Sequence, residues 1–141
     1  MKKMYVVCDQ ISAEEIVSIA RDYLLSNNFE VQDALDEAGN LCLQGKKSNM
    51  LRKVAGMDYA VQLQVQYRTD GSYVLNAGWG RWLSRVLGGT VYTFVAFGFM
   101  IIPVIMGTVT QRRLPKKLLE DLQIKILQKY PDSHIYMEAK Q

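Results

Sequence analysis

Histidine occurs once in these 141 residues, cysteine twice and proline three times. The shortage of metal-binding side chains removes a zinc site, because His134 has no cysteine or second histidine at a ligand spacing. Cys8 and Cys42 sit far apart in strand-like segments. In a reducing compartment they remain thiols and act as small buried hydrophobes; a disulfide or redox pair is the alternative. A phosphate loop is missing too: the glycines of Val86–Thr90 are not followed by Gly-Lys-Ser/Thr. The apolar run Met4–Cys8 is too short for a signal peptide and is stopped by Asp9, so no cleaved leader is expected. There is no internal repeat and no low-complexity linker. Ser12 reads as a helix cap, Glu14 and Glu15 as partners of the helix dipole, and Asp36 and Glu37 as turn residues. With no nucleophile–base pair or carboxylate pair, the chain is expected not to be an enzyme and to need no cofactor or metal.

The longest absence is of charge. From Val86 to Thr110, 25 residues pass without one charged side chain, and three of the four phenylalanines (Phe94, Phe97, Phe99) lie there. Residues 1–85 carry ten Lys/Arg and ten Asp/Glu, so the net charge of +3 belongs to residues 111–141. Arg112, Arg113, Lys116 and Lys117 supply most of it. A cationic cluster beside an apolar segment suits anionic lipid head groups. No basic stripe interleaved with aromatics is present, so nucleic acid is not an expected partner.

Local patterning outlines an α+β domain. Residues 3–9 are β-branched and extended. Ser12 caps a helix through residue 26 and Glu15 closes a capping box, with Ile16, Ile19, Ala20, Tyr23 and Leu24 on one face. Asn27 or Asn28 ends it. Residues 29–34 and 41–45 read as strands around a turn at 36–40, and 46–57 as a loop with a helical turn. Residues 59–68 alternate strictly, with Tyr59, Val61, Leu63, Val65 and Tyr67 on one side and Gln62, Gln64, Gln66 and Arg68 on the other. The amide side is expected to be solvated or to meet a polar surface. A Thr-Asp-Gly turn leads to a returning strand over 72–80. Pro115 opens a second helix, with Leu118, Leu119, Leu122 and Ile126 aligned, and Pro131 follows it. The last residues form a short strand or a tail. The expectation is an antiparallel sheet of about 4–5 strands with an N-terminal and a C-terminal helix on one face.

Residues 86–110 divide this outline into 1–85, an apolar segment, and a basic stretch with an amphipathic helix, 111–141, that packs back on 1–85. As one helix the segment rises about 37 Å, enough to cross a hydrocarbon core of about 30 Å. Trp79, Trp82 and Arg85 before it, and Arg112, Arg113, Lys116 and Lys117 after it, resemble membrane-interface flanks. Gly89, Thr93, Ala96 and Gly107 recur at helical spacing and suit close helix packing in lipid. The segment is therefore a single transmembrane helix or a helical hairpin. The hairpin is favoured, because the apolar face of the C-terminal helix needs the sheet as its partner. The expected function is a membrane-associated binding, adaptor or accessory subunit on the cytoplasmic face, contacting anionic head groups and assembling as a homo-oligomer or in a larger complex. The alternative is a soluble carrier that encloses a lipid or other hydrophobic ligand between sheet and hairpin.

Overall fold

A computed structural model describes residues 2–36, 38–46, 59–81 and 113–137, with the side chains of Tyr59 and Arg81 left aside. The elements run β1 (Lys2–Val7), α1 (Ala13–Ser26), β2 (Glu30–Leu35), β3 (Leu41–Lys46), β4 (Tyr59–Tyr67), β5 (Tyr73–Arg81), α2 (Leu114–Lys129) and β6 (His134–Met137). The strands form one antiparallel sheet in the order β2-β3-β4-β5-β1-β6. Six strands replace the four or five expected. The addition is β6, whose four residues carry too little patterning to be told from a tail; backbone pairing with β1, Tyr5 opposite Tyr136, makes it a strand. Among the described residues no helix is long and apolar enough to cross a membrane. The segment 86–110, and with it the choice between span and hairpin, lies outside the described residues, as does most of the loop expected over 46–57.

Sequence patterning explains why both helices share one face. Met4, Val6, Leu43, Val61, Leu63, Val65, Leu75 and Ala77 alternate onto one side of the sheet and join a single core with Ile16, Val17, Ala20 and Leu24 of α1. The same core takes Leu118, Leu119, Leu122 and Ile126 of α2, all fully buried. Burying side chains of this size stabilises by roughly 1.5–3 kcal/mol each. α1 lies over β2, β3 and β4; α2 lies over β4, β5 and β1 and against α1. Gly45 lets α1 sit close, since a Cβ there would come 2.9 Å from Leu24 Cδ1.

The caps fix the helix directions. Ser12 Oγ accepts the Glu15 amide at 3.1 Å. The Glu15 carboxylate does not complete a capping box: it takes the Lys129 ammonium and, at 2.8 Å, the Tyr130 hydroxyl. That contact joins the first turn of α1 to the end of α2, so the helices are antiparallel. Asn28 holds the left-handed conformation after α1, with φ of 65°.

These pairings give the domain two poles. The turn pole holds the β4–β5 turn at 68–72, the 36–40 turn, the end of β1 and the start of α1. The opposite pole holds Tyr59 paired with Arg81 and Glu30 paired with Lys46. Because α2 runs antiparallel to α1, Leu114 also lies towards this second pole. β5 leaves the described structure and α2 rejoins it from the same side.

Candidate functional site

The expected interface residues separate into three groups. Trp79 is 9% exposed and belongs to the core on the helix side of β5, with no hydrogen bond to its indole nitrogen. Arg113, Lys116 and Lys117 are exposed on the first turn of α2. Trp82, Arg85, Gly89, Thr93, Ala96, Gly107 and Arg112 lie outside the described residues.

The start of α2 is electrostatically unusual. Arg113 occupies the cap position without a side-chain cap bond, and the first turn holds no acidic residue. Backbone amides give a helix N-terminus roughly half a positive charge, so cations there are disfavoured by about 0.3–1 kcal/mol each unless an anion sits nearby. α1 shows the usual arrangement, with Glu14 and Glu15 in its first turn. Lys2 and Lys3, half-exposed at the start of β1, pair with Ala77 and Asn76 near the middle of β5, Lys3 on the sheet face away from the helices. The turn pole has the opposite character, with Asp9, Glu14, Glu15, Asp70 and Asp132 set against Arg68 and Lys129.

The second face of the sheet, expected to be solvated or to meet a polar surface, is buried at its centre. Gln44 and Gln62 are 0% exposed, Gln64 3% and Asn76 4%. Gln32, Gln44, Gln62 and Gly78 form one cross-strand row; Ala34, Cys42, Gln64, Asn76 and Lys3 form the next. Neither described helix lies on this face. Amides bond along the rows, Gln32 Nε2 to Gln44 Oε1 at 2.7 Å and Asn76 Nδ2 to Gln64 Oε1 at 2.9 Å. Gln64 Nε2 in turn donates to Asp36 Oδ2 at 2.7 Å.

Asp36 is the charged end of that relay. It is 3% exposed and also accepts the amides of Ala38 (2.8 Å) and Asn40 (2.9 Å) and the Asn40 side chain (2.9 Å). Burial pushes its carboxyl up, but the hydrogen bonds from Asn40, Gln64 and the two backbone amides outweigh burial and hold it below the usual carboxylate range. Burial, reinforced by Asp36, drives the Cys42 thiol well above its ordinary value, which leaves it an inert core side chain. Cys8 and Cys42 are both free and buried, and β4 and β5 lie between their strands, beyond disulfide reach.

At the turn pole, an open pocket of about 300 Å³ is lined by Val7, Cys8, Asp9, Gln10, Asp132, Ser133 and His134. Among the described residues no three His, Cys, Asp or Glu side chains come together as a metal site. Beyond the pocket, Tyr5 stacks on Tyr136 at 5.3 Å and Arg68 lies 5.9 Å over the Tyr5 ring.

The amide relay escaped the sequence because alternation tells which residues share a face, not whether that face is covered. The small residues beside the glutamines, Ala60, Gly78 and Gly80, were the one available signal. No protein-family model, curated protein or solved structure matched this chain.

Proposed function

We propose that this protein is a small membrane-associated binding or accessory subunit, docked on one side of a bilayer through residues 86–110 and acting through contacts rather than catalysis. The observation that carries the reading is the shared pole at which β5 ends and α2 begins. A segment whose two ends belong to one folded body must return to the side it left. The 31 residues of 82–112 are fewer than the roughly 40 that two full spans require. A single span would put α2 across the bilayer from its sheet and forfeit the burial of Leu118, Leu119, Leu122 and Ile126. An interfacial or re-entrant hairpin keeps both. The cytoplasmic face is proposed because the cations flanking the segment favour that side and because the two buried thiols suit a reducing compartment. Assembly with further copies or in a larger complex belongs to the same proposal.

The carrier reading has less support. The helix side of the sheet is filled by core side chains, and the centre of the other side is lined by Gln44, Gln62, Gln64 and Asn76 rather than by apolar groups.

Membrane fractionation of the untagged full chain tests the proposal. It is expected in the pellet after a high-salt wash, with single cysteines at Thr69 and Gln128 labelled from the same side of sealed vesicles. Monomeric protein in the detergent-free soluble fraction, or labelling from opposite sides, would overturn it.

A further inference from the structure

We infer that the open pocket at the turn pole is a binding site for an organic cation, an alkylguanidinium or alkylammonium group, held by Asp9 and Asp132; the inference stands independently of the membrane reading above. Two loops build the pocket. The end of β1 runs into the loop before α1, and the loop after α2 turns into β6, where His134 pairs with Val7. Each loop contributes one carboxylate to the same cavity of about 300 Å³, and no lysine or arginine lines it. Among the described residues neither Asp9 nor Asp132 has an ion-pair or hydrogen-bond partner. The cations of this pole are engaged elsewhere: Lys129 pairs with Glu15, and Arg68 lies 5.9 Å over the Tyr5 ring. The pocket therefore holds two negative charges that the fold leaves unbalanced.

The buried part of the lining has the same preference. Ser133 is 8% exposed, and its hydroxyl donates to Tyr130 O at 2.7 Å. With its proton committed, the oxygen can offer a ligand only lone pairs. Cys8 is also 8% exposed, and its thiol has no hydrogen-bond partner among the described residues. A carboxylate accepts and does not donate, whereas guanidinium and ammonium groups donate and do not accept. Such a lining matches a donor-only ligand and disfavours phosphates and carboxylates. A bare metal ion fits less well, since no three His, Cys, Asp or Glu side chains converge among the described residues. Val7, 39% exposed, adds an apolar wall for the carbon body of the ligand.

Cys8 also supplies a readout. The test uses the full chain in non-ionic detergent at low ionic strength, with N-ethylmaleimide as a neutral thiol reagent and butylguanidinium as the probe. Mass mapping is expected to show that butylguanidinium slows modification of Cys8 saturably, while butylurea, of similar shape without the charge, does not. Amide chemical shifts of Asp9, Gln10 and Ser133, titrated with the same two compounds, give the affinity without relying on the thiol. Asp9→Asn and Asp132→Asn are each expected to weaken binding about two- to fivefold, as for exposed ion pairs, and the double variant by roughly tenfold. A capped Ala-Arg-Ala peptide binding more tightly than butylguanidinium would assign the site to a basic peptide; weaker binding would assign it to a free small molecule. No saturable change in either readout, equal binding of butylurea, or an affinity unchanged in the double variant would overturn the inference.

Discussion

Replacing Asp36 by asparagine tests whether one buried carboxylate organises the amides of the second sheet face. The substitution keeps the shape, removes the charge and turns one acceptor into a donor. In the native chain four donors converge on Asp36: the amides of Ala38 and Asn40, Asn40 Nδ2 and Gln64 Nε2. An asparagine oxygen can keep the two backbone amides, but its NH2 then faces Asn40 Nδ2 and Gln64 Nε2. Gln64 escapes by flipping only if Asn76 flips too. Asn76 Oδ1, buried without a hydrogen bond, would then accept from Gln64, and the 3.3 Å bond to Gln66 Oε1 would be lost. Hydrogen bonds to charged groups contribute about 1.5–3 kcal/mol, and this relay recovers part of the loss, so Asp36→Asn should cost about 1–2 kcal/mol. Asp36→Ala strips all four acceptor contacts and should cost about 3 kcal/mol or more. The folded pKa lies below the usual carboxylate range. The stabilisation is therefore complete above the unfolded value of about 3.9 and disappears as pH falls through the folded value. Urea unfolding of the full chain in non-ionic detergent, followed by circular dichroism, should separate wild type from Asp36→Asn at pH 7. As pH falls through the folded value of Asp36 the two should converge, since the native group then becomes neutral as well. Hydrogen exchange over residues 30–46 should report the same difference locally. Equal stability at pH 7, or a gap as wide in acid as at neutrality, would refute the reasoning.

Two further outcomes follow from packing. Leu122→Ala, at a fully buried position between α2 and the sheet, should lower stability by about 2–5 kcal/mol with an unchanged urea m-value; a loss under 1 kcal/mol would mean that α2 does not rest on the sheet. A thiol reagent should modify Cys8, which lines the open pocket, well before Cys42, which is 0% exposed and has its thiol ionisation suppressed. Mass mapping that found Cys42 labelled first in the native chain would contradict the burial of the second sheet face.

Ser12, Asn28 and the α2 leucines were legible in the sequence because each follows a local rule: a cap, a left-handed stop, a helical stripe. The β4–β5 hairpin was legible through its alternation and its Asp-Gly turn. The sixth strand was not, since what makes His134–Met137 a strand is the unpaired edge of β1, a partner more than a hundred residues upstream. Glu15 misled for the same reason: its spacing from Ser12 fits a capping box, but Lys129 and Tyr130, brought by the fold, offer a charged partner that the local motif lacks. For the candidate site, the cations of α2 were visible as a run, whereas the burial of the amide face depends on what covers it. Trp79 was read by its position in the chain near an apolar run; its register in β5 puts it in the core.

The place of β1 between β5 and β6 sets an order of events during synthesis. Met4 pairs with Leu75 and with Met137, so its second neighbour is made about 130 residues later. At roughly 5–20 residues per second the wait is on the order of ten seconds. Meanwhile the β2–β5 meander, built from sequence-adjacent hairpins, has already been made. Until α2 is made, the faces of Leu63, Leu75 and Ala77 that will receive it stand open, which makes the nascent chain, rather than the finished fold, the form most exposed to aggregation.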